Sequence, residues 1–180
     1  MPITPFVTDD RETRGPADGR GDFDVLHGRW RVAHRRLQRR LEGDTQWDEF
    51  AGMSEMKPLL GGLGNVDDNV IELPGGTYRG ASLRLFDAET KLWSIWWFDS
   101  RNPRMEPPVV GRFDQGVGSF YADETLRGRP IRVRFIWSEI TETTARWEQA
   151  FSPDAGTSWE INWDMRFTRI GEHTACPLAS

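Results

Sequence analysis

A chain of 180 residues is the length of a single domain. Its net charge of −5 and pI near 5.3 argue against general attraction to nucleic acid or to acidic membranes, so neither is expected as a partner. Nine Trp, ten Phe and two Tyr point to a core of few, large side chains, and 18 Gly with 11 Pro interrupt the chain too often for long helices.

Residues 1–20 read as a disordered or loosely docked tail, because Thr8 to Gly15 is charged and has no apolar period. Met1–Asp22 lacks an apolar signal core, and no apolar run approaches the ~20 residues of a membrane helix. The lone cysteine, Cys176, cannot build an internal disulfide framework, so a reducing cytoplasm is expected. Asp22 to Leu26 forms a short apolar turn, and a single domain spans 21–170. Residues 171–180 lose periodicity and read as a C-terminal tail.

Nine turn signals punctuate that domain: Glu42–Thr45, Gly61–Gly64, Pro74–Gly76, Asp87–Thr90, Arg101–Pro107, Asp114–Gly116, Gly128-Arg129, Ile140–Glu142 and Pro153–Thr157. They leave ten segments, most rich in Val, Ile, Thr, Phe and Trp. Several alternate with a period of two. Ile131, Val133, Phe135 and Trp137 share one face, as do Ala145, Trp147, Gln149 and Phe151, and Trp159, Ile161, Trp163, Met165 and Phe167. Segments 65–73, 77–86 and 117–127 do not reveal their inward side. Ten strands joined by tight turns predict an all-β, ten-stranded antiparallel up-and-down β-barrel, since closure removes both exposed edges. The short N-terminal turn would close one end.

The first strand opens His27-Gly28-Arg29-Trp30. A Gly-x-Trp there, just after a short turn in an all-β chain, resembles the calycin superfamily of lipocalins, fatty-acid-binding proteins and nitrobindin-like barrels. The span Asp22–Ile170 also resembles a bacterial family of calycin-like single domains with no agreed activity. The resemblance implies that Trp30 plugs one end and that an Arg of the last strand covers it. Alternation selects Arg169, in phase with Phe167, over Arg166. The haem-ligating His of nitrobindin-like barrels has no counterpart within the predicted strands, where His173 lies too late, so no haem or other cofactor is expected.

Ser152-Pro153-Asp154-Ala155-Gly156-Thr157-Ser158-Trp159 fits the Asp-box pattern and reads as a hairpin turn, with Asp154, Gly156 and Trp159 structural. Residues 93–99 are aromatic on both faces. One row, Leu92, Ser94, Trp96 and Phe98, is expected to fill the barrel. The other, with Trp93 and Trp97, is expected outside, covered by the N-terminal tail or joined in a homodimer. Three His and one Cys without ligand spacing predict no metal site. No phosphate loop or nucleophile elbow is present. Arg29, Arg31, Arg35, Arg36, Arg39 and Arg40 read as a solvated outer stripe paired with Glu42, Asp48 or Glu49.

These patterns predict a protein that holds a small apolar or aromatic molecule in a Trp-rich cavity. Trp96, Tyr121, Trp147 and Trp163 would line it, with His34 and Gln149 as polar contacts. Two other readings stay open. One is a cofactor-independent isomerase or cyclase using His34 or Asp99 as its acid or base. The other is a filled-core structural or dimerisation module.

Overall fold

The computed structural model describes residues 18–171. The tails read at 1–20 and 171–180, with His173 and Cys176, therefore lie almost wholly outside the described residues. Ten strands follow in chain order: β1 Gly28–Leu37, β2 Trp47–Leu59, β3 Gly64–Leu73, β4 Gly76–Asp87, β5 Leu92–Asp99, β6 Val109–Asp114, β7 Val117–Leu126, β8 Arg129–Ser138, β9 Thr144–Ser152 and β10 Glu160–Gly171. Each pairs antiparallel with its chain neighbours, and β10 returns to pair with β1, closing the barrel. The nine turn signals fall on the nine connections because Gly, Pro, Asn and Asp supply backbone conformations that a strand cannot use. Among the described residues no helix is long and apolar enough to cross a membrane.

The ends of the barrel differ. At the closed end a 3-10 turn, Asp24–Leu26, follows Phe23, whose ring is fully buried. Phe23 meets Trp93 and Phe113 edge-on, with ring centroids 4.9 and 5.0 Å apart. Such aromatic edges add ~0.5–1.5 kcal/mol each beyond the area they bury. Trp30 stands beside this plug and donates from Nε1 to the Leu26 carbonyl at 2.8 Å. The β1–β10 register sets Trp30 opposite Arg169, Val32 opposite Phe167 and His34 opposite Met165. Clean alternation in β1 thus carries Trp30, Val32 and His34 inward and Arg29, Arg31 and Arg35 outward.

β5 reverses the expected phase. Trp93, Ile95 and Trp97 face inward, and Leu92, Ser94, Trp96 and Phe98 form the half-buried outer row. Trp93 and Trp97 are therefore unavailable as the outer dimer face, and Trp96 does not fill the interior. Alternation cannot choose between two aromatic rows, whereas cross-strand space can. A Cβ at Gly80 on β4 would lie 2.4 Å from the Trp97 ring, so glycine there makes room for the indole. Trp93 donates from Nε1 to the Gly19 carbonyl at 3.0 Å, which docks the start of the described chain on the closed end.

The β5–β6 seam is short. Only Trp93, Ser94 and Ile95 pair across it, with Gly111, Val110 and Val109. On its other side β6 packs tightly on β7, where a Cβ at Gly111 would fall 1.9 Å from the Ser119 carbonyl oxygen.

Candidate functional site

Between the plug and the open end lies a cavity of about 450 Å³. Its floor is Trp137 and Phe167, whose rings tilt together at 5.2 Å and rest on Phe23 and Trp30. One wall, from β8, β9 and β10, is aromatic. Trp163 is its hub, meeting Trp147 edge-on at 5.8 Å and Trp97 edge-on at 6.3 Å, while Phe135 packs on Trp147 at 4.8 Å. Large rings braced edge-to-face have few rotamers left, so this wall is preformed.

His34 joins the aromatic wall. Its ring stacks on Phe50 at 4.8 Å, and its Nδ1 accepts a bond from Trp163 Nε1 at 3.2 Å. With Nδ1 accepting, the neutral ring carries its proton on Nε2. Burial, and then the neighbouring Arg36 charge, push the His34 pKa down to about 4. The ring fits because position 52 is glycine; a Cβ there would lie 2.6 Å from His34 Nε2. Gln149, also on the cavity wall, donates from Nε2 to Asn162 Oδ1 at 2.8 Å, across a register shift in β10.

The opposite wall, from β3 and β4, is polar and was not legible in the sequence. Arg84 and Asp67 are only 2% and 4% exposed and form an ion pair at 2.5 Å. Arg84 also donates to Asn65 Oδ1 at 3.1 Å. Asp67 Oδ1 accepts from the Ser82 backbone at 2.7 Å and from Asn69 Nδ2 at 2.6 Å. The guanidinium lies 5.2 Å from the Phe23 ring centre and 5.5 Å from that of Trp137, and its Nε has no hydrogen-bond partner among the described residues. In a strand reading Gly-Asn-Val-Asp-Asp-Asn-Val-Ile, the inward row Asn65, Asp67 and Asn69 mimics a solvent face. Only the cross-strand partner Arg84 explains why it can be buried.

Of the proposed contacts, His34, Trp147, Gln149 and Trp163 meet at the cavity, and Trp96 and Tyr121 do not. Tyr121 is 36% exposed on the outer face beside Trp159, with ring centres 6.1 Å apart. Its neighbour Phe120 takes the inward position and is fully buried. Asp99 sits at the open end, where both its oxygens take bonds from the Arg101 side chain. That contact holds its carboxyl below the usual range. The basic stripe is split. Arg35 reaches Glu49 outside at 3.3 Å, but Arg36 and Arg40 line the cavity mouth.

The Ser152–Trp159 hairpin is self-contained. Asp154 accepts from the Ser158 backbone at 2.8 Å and from Ser158 Oγ at 2.6 Å. Gly156 has φ +96°, and Trp159 donates to its carbonyl at 3.1 Å. Among the described residues no cluster of three or more His, Cys, Asp or Glu is placed to hold a metal ion.

No family model matches the chain, and no curated protein matches it. Among solved structures it is similar to one described as "Structure of EF1p2_mFAP2b bound to DFHBI", at 10% identity, over 84% of this chain and 99% of that one, with a TM-score of 0.43.

Proposed function

We propose that this barrel binds one small, flat, largely apolar or aromatic molecule against the aromatic wall of Trp97, Trp147 and Trp163, across from the polar β3–β4 wall. The observation that carries the reading is an interior cavity of about 450 Å³ with Trp97, Trp147 and Trp163 on its wall. That volume lies within the ~300–1,000 Å³ usual for ligand pockets. His34 and Gln149 supply the few polar contacts that fix orientation; the neutral His34 offers a donor at Nε2. A filled-core module leaves such a cavity without a purpose.

Binding is better supported than catalysis. A general base near neutral pH needs a pKa near 7, and that of His34 is about 4. Asp99 is held ionised by Arg101, which moves its carboxyl below the usual range and further from neutrality.

The test is a titration with N-phenyl-1-naphthylamine, a neutral probe whose emission rises in apolar sites. Saturation at one molecule per chain is expected, and Ser82→Phe, which fills the cavity from β4, should abolish it. An emission rise without saturation, or saturation unchanged in Ser82→Phe, would overturn the reading.

A further inference from the structure

We infer that the cavity mouth is an anion site, so that the ligand is a flat apolar body carrying one negatively charged group, held between Arg36 and Arg40. The inference rests on the binding function proposed above and adds the charge of the ligand. Arg36, Arg40 and Arg101 all line the cavity at its open end, and Tyr78 lines the adjoining groove with Arg36 and Arg101.

The acids at this end do not neutralise them. Asp99 is taken by Arg101, at 2.7 Å, and Glu42 by Arg127. Asp48 faces Arg36 in the β1–β2 ladder and lines the same groove, its Oδ1 turned to Gln38 at 2.9 Å and forming no ion pair with Arg36. Among the described residues no carboxylate lies within ion-pair distance of Arg36 or Arg40. Two guanidiniums thus share one rim with no carboxylate paired directly to either, Asp48 being the nearest acid.

Two donors there are also buried and unanswered. Arg40 Nε and Tyr78 Oη have no hydrogen-bond partner among the described residues. A buried donor without a partner carries the full cost of its lost hydration. Burial, and then the Arg36 charge, lower the Arg40 pKa, as expected where cations crowd without an anion. An anion between the two guanidiniums would supply the missing counter-charge and relieve their repulsion.

Geometry ties this rim to the aromatic chamber. Arg36 lies two residues beyond His34, with its guanidinium 5.5 Å from the Trp163 ring centre and 5.6 Å from that of Phe50. A ring seated against Trp163 therefore presents a substituent at its edge to Arg36. Arg101 is occupied differently, lying 3.7 Å from the centre of the Tyr78 ring while it holds Asp99. Its role is to brace Tyr78.

The experiment compares two probes with the same ring body, N-phenyl-1-naphthylamine and its sulfonated form, 8-anilinonaphthalene-1-sulfonate. The sulfonate is expected to bind at least about tenfold more tightly, the range of one charge-assisted contact. Arg40→Gln and Arg36→Gln should each remove most of that preference, read as the ratio of sulfonate to neutral-probe affinity within the same variant, and Arg31→Gln on the outer face should leave the ratio intact. Ligand-free Arg40→Gln should also melt at a higher temperature, because it removes a half-buried cation that has no paired carboxylate. If the neutral probe saturates the cavity but the sulfonate binds no better, or if both rim variants keep the preference, the anion site is overturned and the apolar cavity stands. If neither probe binds, the cavity reading itself fails.

Discussion

The Arg169 guanidinium lies 4.1 Å from the centre of the Trp30 indole, joining the last strand to the first. It donates to the His27 carbonyl at 2.7 Å and to the Val25 and Glu142 carbonyls. One planar side chain thus ties the N-terminal turn, the β9 approach and the closing seam. Arg169→Ala is expected to cost about 2–4 kcal/mol of unfolding free energy, from lost charge-assisted bonds and the cation–π contact. Arg169→Lys should recover little, since an ammonium cannot lie flat on the indole and reach three carbonyls. Urea melts of both variants check this; a lysine variant as stable as the parent would contradict it.

His34 predicts a pH dependence. Its folded-state pKa of about 4 lies below the ordinary 6.5. Between those values the unfolded chain binds a proton that the folded chain does not. Stability is therefore full above about pH 6.5 and falls as pH drops toward 4, by on the order of 3 kcal/mol from this group. The difference in unfolding free energy between parent and His34→Gln, measured from pH 7.5 to 4, isolates that contribution. A difference that stays constant across the window would show that His34 does not titrate in this way.

The buried Arg84–Asp67 pair should be strongly non-additive. Asp67→Ala leaves a cation stranded in the interior and is expected to cost about 3–5 kcal/mol. Adding Arg84→Met removes the stranded charge and should recover a large part of that loss. A double-mutant cycle by urea unfolding reads the coupling, and simple additivity would mean that the pair does not act as a unit.

Local opening should begin at the β5–β6 seam, where three residue pairs join the strands, against eight between β4 and β5. Native-state hydrogen exchange is expected to release the amides that bridge β5 and β6 before those that bridge β1 and β10. Equal protection at both seams would contradict this.

The strand positions were legible because turn chemistry is local: a Gly-Gly, an Asp-Ala-Gly or an Arg-Gly between β-branched runs has few other conformations. Facing was legible only where one row was apolar and the other charged. In β1, β9 and β10 alternation puts His34, Trp147, Gln149 and Trp163 on the inner side. It fails for Trp96 because both rows of β5 are aromatic, and for β3 because the inner row is polar. Those choices depend on partners distant in sequence: Gly80 for Trp97, Arg84 for Asp67. Arg36 and Arg40 look like a solvated stripe for the same reason, since only the closed barrel turns them over the mouth.

The nine tryptophans provide the most direct measurement, because each indole N–H is a separate reporter. With N-phenyl-1-naphthylamine added to one equivalent, nitrogen–proton spectra should show the Trp97, Trp147 and Trp163 indole signals shifting and saturating together. Trp159 on the outer hairpin should stay still. Unmoved signals from the three cavity tryptophans, or shifts confined to Trp96 and Trp159, would place binding outside the barrel and contradict the account.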